Sequence, residues 1–245
     1  KLFQEDREGT VFITSPGIEN KSETNENNIS LKYQNQLSKS VDLNIDLYKT
    51  NYLNKEQQVI SNGTINTNNF DQSLNRLDIR LKYSTSTGSY YTIGLGYDNE
   101  KLERTNISVK PEHKSQFLYF QYDWNTNNKF NLVSGIRYDN HNKYSSQLSP
   151  KVSFKYDFSE DLNLKGSFGY GYKTPDFRQL YLNFSNSTSG YIVLGTSIID
   201  EVITELQNNN ELMFYDDLFT TNLLAENSNS YNLGLQYYVT PDIPI

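Results

Sequence analysis

The chain has 245 residues, 36% of them hydrophobic, and a net charge of −7, which leaves no basic face for nucleic acid. No run approaches the roughly 20 apolar residues of a membrane-spanning helix, and the absence of Cys excludes a disulfide framework. With 20 Tyr and 13 Phe at a mean hydropathy of −0.71, the chain is too aromatic for disorder and suits a sheet in which only alternate residues are apolar.

Along the chain, the first clear strand sets Ile29, Leu31, Tyr33 and Leu37 against Lys32, Gln34 and Gln36. After a Ser38-Lys39-Ser40 turn come Val41, Leu43, Ile45 and Leu47, opposed by Asp42, Asn44 and Asp46. A third strand carries Leu77, Ile79, Leu81 and Tyr83 over Arg76, Asp78, Arg80 and Lys82. Its partner across Ser84 to Ser89 carries Tyr91, Ile93, Leu95 and Tyr97. Leu118, Phe120, Tyr122 and Trp124 precede a turn at Asn125 to Asn128, and Phe130, Leu132, Ile136 and Tyr138 follow it. Val152, Phe154, Tyr156 and Phe158 lead through Ser159-Glu160-Asp161 to Leu162, Leu164, Phe168, Tyr170 and Tyr172. Further on, Ile199, Val202, Ile203 and Leu206 have amphipathic-helix spacing, with Ser197 and Asp200 as an expected capping pair and Asn208 to Asn210 as the stop. A ninth strand holds Tyr231, Leu233, Leu235 and Tyr237.

The period of two is close to strict, and apolar parity survives every short turn, as antiparallel hairpins with one apolar face require. Short turns alternate with long polar stretches at 49–72, 98–114, 139–147 and 174–229, expected to be loops. Strands of roughly 9–11 residues with aromatics near their ends (Trp124 and Phe130, Tyr170 and Tyr172) fit an all-β antiparallel transmembrane β-barrel. The helix then lies inside a long loop and covers part of the barrel mouth. The competing reading is a soluble β-sandwich adhesin or carbohydrate-binding module, stacking Tyr and Trp124 on sugars.

Nothing in the chain arranges a nucleophile, base and acid. His113 and His141 fall in loop signals without partners at ligand spacing, so no metal or cofactor is expected. Asp200/Glu201/Glu205 and Asp216/Asp217 lack the pattern of a calcium loop and read as solvated faces.

Two segments carry a more specific signal. Residues 148–184 contain Leu148-Ser149-Pro150-Lys151, the strand Ser167 to Tyr172, the step Tyr172-Lys173-Thr174-Pro175 and then Gln179-Leu180-Tyr181. Residues 223–239 contain Glu226, Ser228, Tyr231 and Gly234, with Ala225 where a Pro is usual. Together these resemble TonB-dependent outer-membrane receptors. The resemblance implies a barrel of about 22 strands closed by an N-terminal plug domain. It implies location in the bacterial outer membrane and binding of a scarce nutrient on extracellular loops. Import would use energy supplied by a TonB complex, acting through the plug. The chain is expected to supply about nine to ten strands across 1–245 as part of a longer protein, the plug lying outside it. It would need outer-membrane lipid and the remainder of the same barrel. No enzyme activity is implied.

Within that resemblance, the loop after Pro175 is the expected binding region, through Phe177, Arg178, Tyr181, Phe184 and Tyr191. Aromatics beside an Arg suit a flat or anionic ligand such as heme or a ferric siderophore. Heme receptors of this kind place a His in the segment between Lys173 and Ala225, where this chain has none. An extracellular small ligand or a carrier protein is the implied partner, and polar rows such as Arg76/Asp78/Arg80 and Lys151/Lys155 would line the lumen.

Overall fold

The computed structural model describes residues 2–15, 18–61, 63–105, 107–125, 129–186, 191–210, 222–240 and 243–244. Asp216, Asp217 and part of the turn at 125–128 lie outside them. Strands run in chain order as β1 (Leu2–Ser15), β2 (Ile18–Ser38), β3 (Val41–Ile60), β4 (Ile65–Ser84) and β5 (Tyr90–Arg104). They continue as β6 (Glu112–Trp124), β7 (Phe130–His141), β8 (Gln147–Asp157) and β9 (Leu162–Lys173). A long excursion then carries helix α1 (Phe177–Tyr181), a hairpin of β10 (Asn183–Asn186) and β11 (Tyr191–Leu194), and helix α2 (Ile199–Asn208). The chain returns as β12 (Glu226–Thr240), followed by the short β13 (Ile243–Pro244).

One 11-stranded sheet holds everything except β10 and β11, in the order β1 to β9, then β12 and β13. Each strand pairs antiparallel with its neighbour. The up-and-down order follows from the short turns, which can join only adjacent antiparallel strands. The sheet is not closed: β1 pairs only with β2, so its other edge is unpaired among the described residues.

Register turns the alternating sequence into two continuous faces. Ile79 opposes Leu95, Leu95 opposes Leu118, Leu118 opposes Tyr138 and Tyr138 opposes Leu148, so an apolar row of side chains crosses four strand junctions on one side. That face is the outward one. Ile93, Leu95 and Leu118 are about half exposed, whereas Thr92 and Asp123 on the polar face are only 9% and 8% exposed. A soluble sandwich would cover the apolar face with a second sheet; among the described residues nothing covers it. Apolar-out, polar-in is the arrangement of a barrel wall in lipid.

Ring packing completes the polar face. A Cβ on Gly94 or Gly96 would overlap the rings of Tyr119 and Phe117, which lie across those positions from β6. The two glycines therefore make room for flat aromatics on an inner wall.

Several sequence expectations change. The stretch 49–72 is mostly ladder rather than loop, with Asn51 opposite Ser73, Lys55 opposite Asn69 and Val59 opposite Ile65. β2, β3 and β4 reach 20–21 residues instead of 9–11. Backbone hydrogen bonds extend the ladder past the apolar band, and polar residues on both faces leave no period to read. β1 pairs along its full length with β2 and is likewise unmarked in sequence. The other long connections shrink to 105–111 and 142–146. α2 forms where expected, but Ile198 occupies its N-cap position without a side-chain cap bond, so the expected Ser197–Asp200 pair is not a capping box. A capping box forms instead at α1, between Asp176 and Gln179.

Candidate functional site: the outer rim and the inner wall

The long connections gather at one end of the sheet, opposite the short turns. There the excursion between β9 and β12 folds back onto the ends of β4, β5 and β6. Its anchor is α1. The Gln179 N–H donates to Asp176 Oδ1 at 2.8 Å, and the Asp176 N–H donates to Gln179 Oε1 at 3.0 Å. This box fixes the first turn and drives Phe177 inward, leaving it 2% exposed.

Phe177 joins Leu102, Ile107 and Ile198 in a buried cluster, with Phe70, Tyr181, Leu194 and Val202 packed around it. The chain after β11 straps across α1: Gly195 N–H donates to Leu182 O, Thr196 N–H to Gln179 O at 3.0 Å and Ser197 N–H to Leu180 O at 2.9 Å. On the strand side, the Arg104 guanidinium donates to Asn183 O, and Ser108 Oγ donates to Glu201 Oε2 at 3.3 Å.

His113 and His141 sit at the outer ends of β6 and β7, not in solvated loops without partners as the sequence suggested. Their ring centroids are 5.0 Å apart, and the His113 ring lies 4.4 Å from Phe177. Tyr144 packs 5.1 Å from His141. Beside His113 the outward positions are Glu112 and Lys114, so this level lies beyond the apolar band. Burial, reinforced by His141 and Lys143, pushes the His113 pKa down to about 4. Burial and then Lys143 lower that of His141. The Lys143 N–H donates to His141 Nδ1 at 3.0 Å, which fixes that nitrogen as an acceptor. Among the described residues no three His, Cys, Asp or Glu side chains gather as a metal site.

The five expected binding residues divide. Phe177 and Tyr181 are spent on packing, their centroids 6.0 Å apart. Arg178 is exposed on α1. Phe184 and Tyr191 lie across the β10–β11 hairpin, both nearly half exposed with centroids 6.2 Å apart. Of the motif residues, the Tyr172 hydroxyl donates to Ser145 O at 2.8 Å, Lys173 faces Glu226 in the β9–β12 register, and Thr174 leads into the buried Pro175. Gly234 lies opposite Lys165.

The inner wall is laced with ion pairs. Arg76 holds Asp98 through two bonds of 2.8 and 3.1 Å. Arg80 bridges Asp78 at 3.4 Å and Asp46 at 3.8 Å. Arg137 pairs with Asp139 at 2.8 Å and lies 3.9 Å above the Phe117 ring. Half-exposed pairs of this kind contribute little stability each. Together they make a connected polar surface on the inner wall.

A protein-family model described as TonB dependent receptor-like, beta-barrel matches residues 5–242. No curated protein matches the chain. Among solved structures, the siderophore receptor PirA from Pseudomonas aeruginosa is similar at 15% identity and a TM-score of 0.57, covering 97% of this chain and 49% of that one. The RagAB peptide transporter is similar at 12% identity and a TM-score of 0.59, covering 91% and 29%. The ferric-catecholate import receptor Fiu from K12 E. coli is similar at 11% identity and a TM-score of 0.56, covering 92% and 39%. At such identities the likeness is one of fold, and the chain spans half or less of each of these proteins.

Proposed function

The chain belongs to the TonB-dependent receptor-like β-barrel family, and we propose from that footing that it forms part of the wall of an outer-membrane importer. Its nutrient is an iron complex, a ferric siderophore or heme, captured on the outer loops. TonB supplies the energy through a plug domain in the lumen. The observation that carries the import reading is the inverted sheet, apolar outward and ion-paired inward, with its folded excursion at the rim. The iron-complex reading rests on two exposed features of the same excursion, Arg178 on α1 and the Phe184/Tyr191 ring pair of the β10–β11 hairpin, which supply a cation and aromatic faces. Two similar structures, the siderophore receptor and the ferric-catecholate receptor, bear names that point the same way.

The test is growth of a gene-deletion strain on single iron sources. Loss of growth on a ferric siderophore or on heme, restored by the wild-type gene and weakened by Arg178→Ala with Phe184→Ala, is the expected result. Unchanged growth on every iron source, with impaired use of peptides or glycans, would replace the iron reading while keeping the importer.

A further inference from the structure

Charges on the inner wall are not evenly matched. Lys155 on β8 and Lys165 on β9 are direct register partners, and their side chains share the inner face. Like charges directly opposed across an antiparallel pair destabilise it. Asp157 holds Lys155 at 2.8 Å. Lys165 donates instead to a neutral acceptor, Gln236 Oε1, at 2.9 Å. Among the described residues, these two cations therefore share one carboxylate.

Beside them opens a groove of about 470 Å³ on the wall, lined by Asn131, Ser153, Ser167, Asn232 and both lysines, with Val133, Phe154 and Leu233 adding apolar surface. Gly234, opposite Lys165, has open space where a Cβ would stand, which leaves the floor bare. Amide and hydroxyl donors around surplus positive charge suit an anion. A cation would add to the repulsion. The Arg forks and helix N-termini that commonly grip phosphate do not line it.

We propose that Lys155 and Lys165 form a carboxylate-binding site on the lumen wall, near the short-turn end. The carboxylate comes from an Asp or Glu of the polypeptide that fills the lumen or from a free carboxylate ligand. The site rests on the importer reading, because it presupposes a lumen.

The test uses the receptor expressed from its full coding sequence and purified in detergent. Heat-modifiable gel migration first verifies the folded barrel, so failure of the importer reading shows separately. Lysines are then acetylated with an N-hydroxysuccinimide ester and quantified by peptide mass spectrometry. Lys165 should react about tenfold more slowly than exposed Lys39 in its turn, because a charge-assisted hydrogen bond withdraws the free amine. Denaturation should abolish the difference. A carbodiimide cross-link from Lys165 to an acidic residue outside 1–245 identifies a protein-borne carboxylate. Protection that appears only with added acetate, against matched chloride, identifies a free one. A folded barrel in which Lys165 reacts like Lys39 under both conditions overturns the site. So does protection that yields no cross-link and ignores acetate, since that is steric cover alone.

Discussion

Gly195 lies so close to Leu180 that a Cβ there would collide with the Leu180 carbonyl group and the Tyr181 nitrogen. Backbone cannot step aside as a flexible side chain can, so Gly195→Ala should cost the rim excursion about 1–3 kcal/mol. Limited proteolysis between 174 and 210 should quicken in that variant, and wild-type cleavage rates would refute the strap. His113 makes a pH prediction at the same scale. Its pKa is about 4 in the folded chain against 6.5 for an ordinary His. Between those values the unfolded segment binds a proton that the folded one refuses, so rim stability rises with pH across that window. Lowering pH from 7 to 5 should therefore weaken hydrogen-exchange protection of residues 177–181 after correction for intrinsic rates. His113→Phe should reduce the dependence, and removing His141 as well should abolish it, because burial also lowers the His141 pKa; a slope that persists in the double variant would place its origin elsewhere.

Among elements, α2 shows local propensity yielding to packing. Its N-cap position holds Ile198, 1% exposed in the rim cluster, where Ser, Thr, Asp or Asn would cap better. Ile198→Asp would add about 1 kcal/mol of capping, yet lose the roughly 2–5 kcal/mol of a large buried aliphatic. The expected net result is a looser excursion, read as faster proteolysis; a slower rate would show that the cluster contributes less than the cap. β2 to β4 raise the converse point. Where their polar ladder extends beyond the apolar band, no alternation distinguishes strand from loop, and only the pairing of Lys55 with Asn69 and its neighbours reveals them.

For the whole molecule, the outward face makes the sharpest demand. Leu95 lies between Tyr91 and Tyr97, and its neighbours in register are Ile79 and Leu118. Arg at that depth should cost about 2–4 kcal/mol and reduce the heat-modifiable folded band of the full receptor. Ser73→Arg, on the same face of β4 but past the apolar row, should cost only about 0–1 kcal/mol. Equal effects at both positions would count against a lipid-facing band. Among the described residues the edge of β1 is unpaired and the apolar face uncovered, which predicts that residues 1–245 expressed alone aggregate in water. A monodisperse monomer without detergent would contradict that.

The sequence by itself determined the two faces of the sheet in its apolar band, the turns after Ser38, Ser84 and Asp157, and the family. Lipid on one side forces apolar residues into every second position, and that period is written in the apolar-band segments of the strands between Ile29 and Tyr237, though not in the polar extensions of β2 to β4. The Tyr172 to Pro175 step and the Glu226 strand start were legible for the same reason, as local patterns. Only the tertiary structure decided the rest. His113 meets Phe177, and Lys155 faces Lys165 over a shared groove, because register and a folded excursion bring together residues with no local signature. Such contacts depend on where distant segments dock, and neither propensity nor period records that.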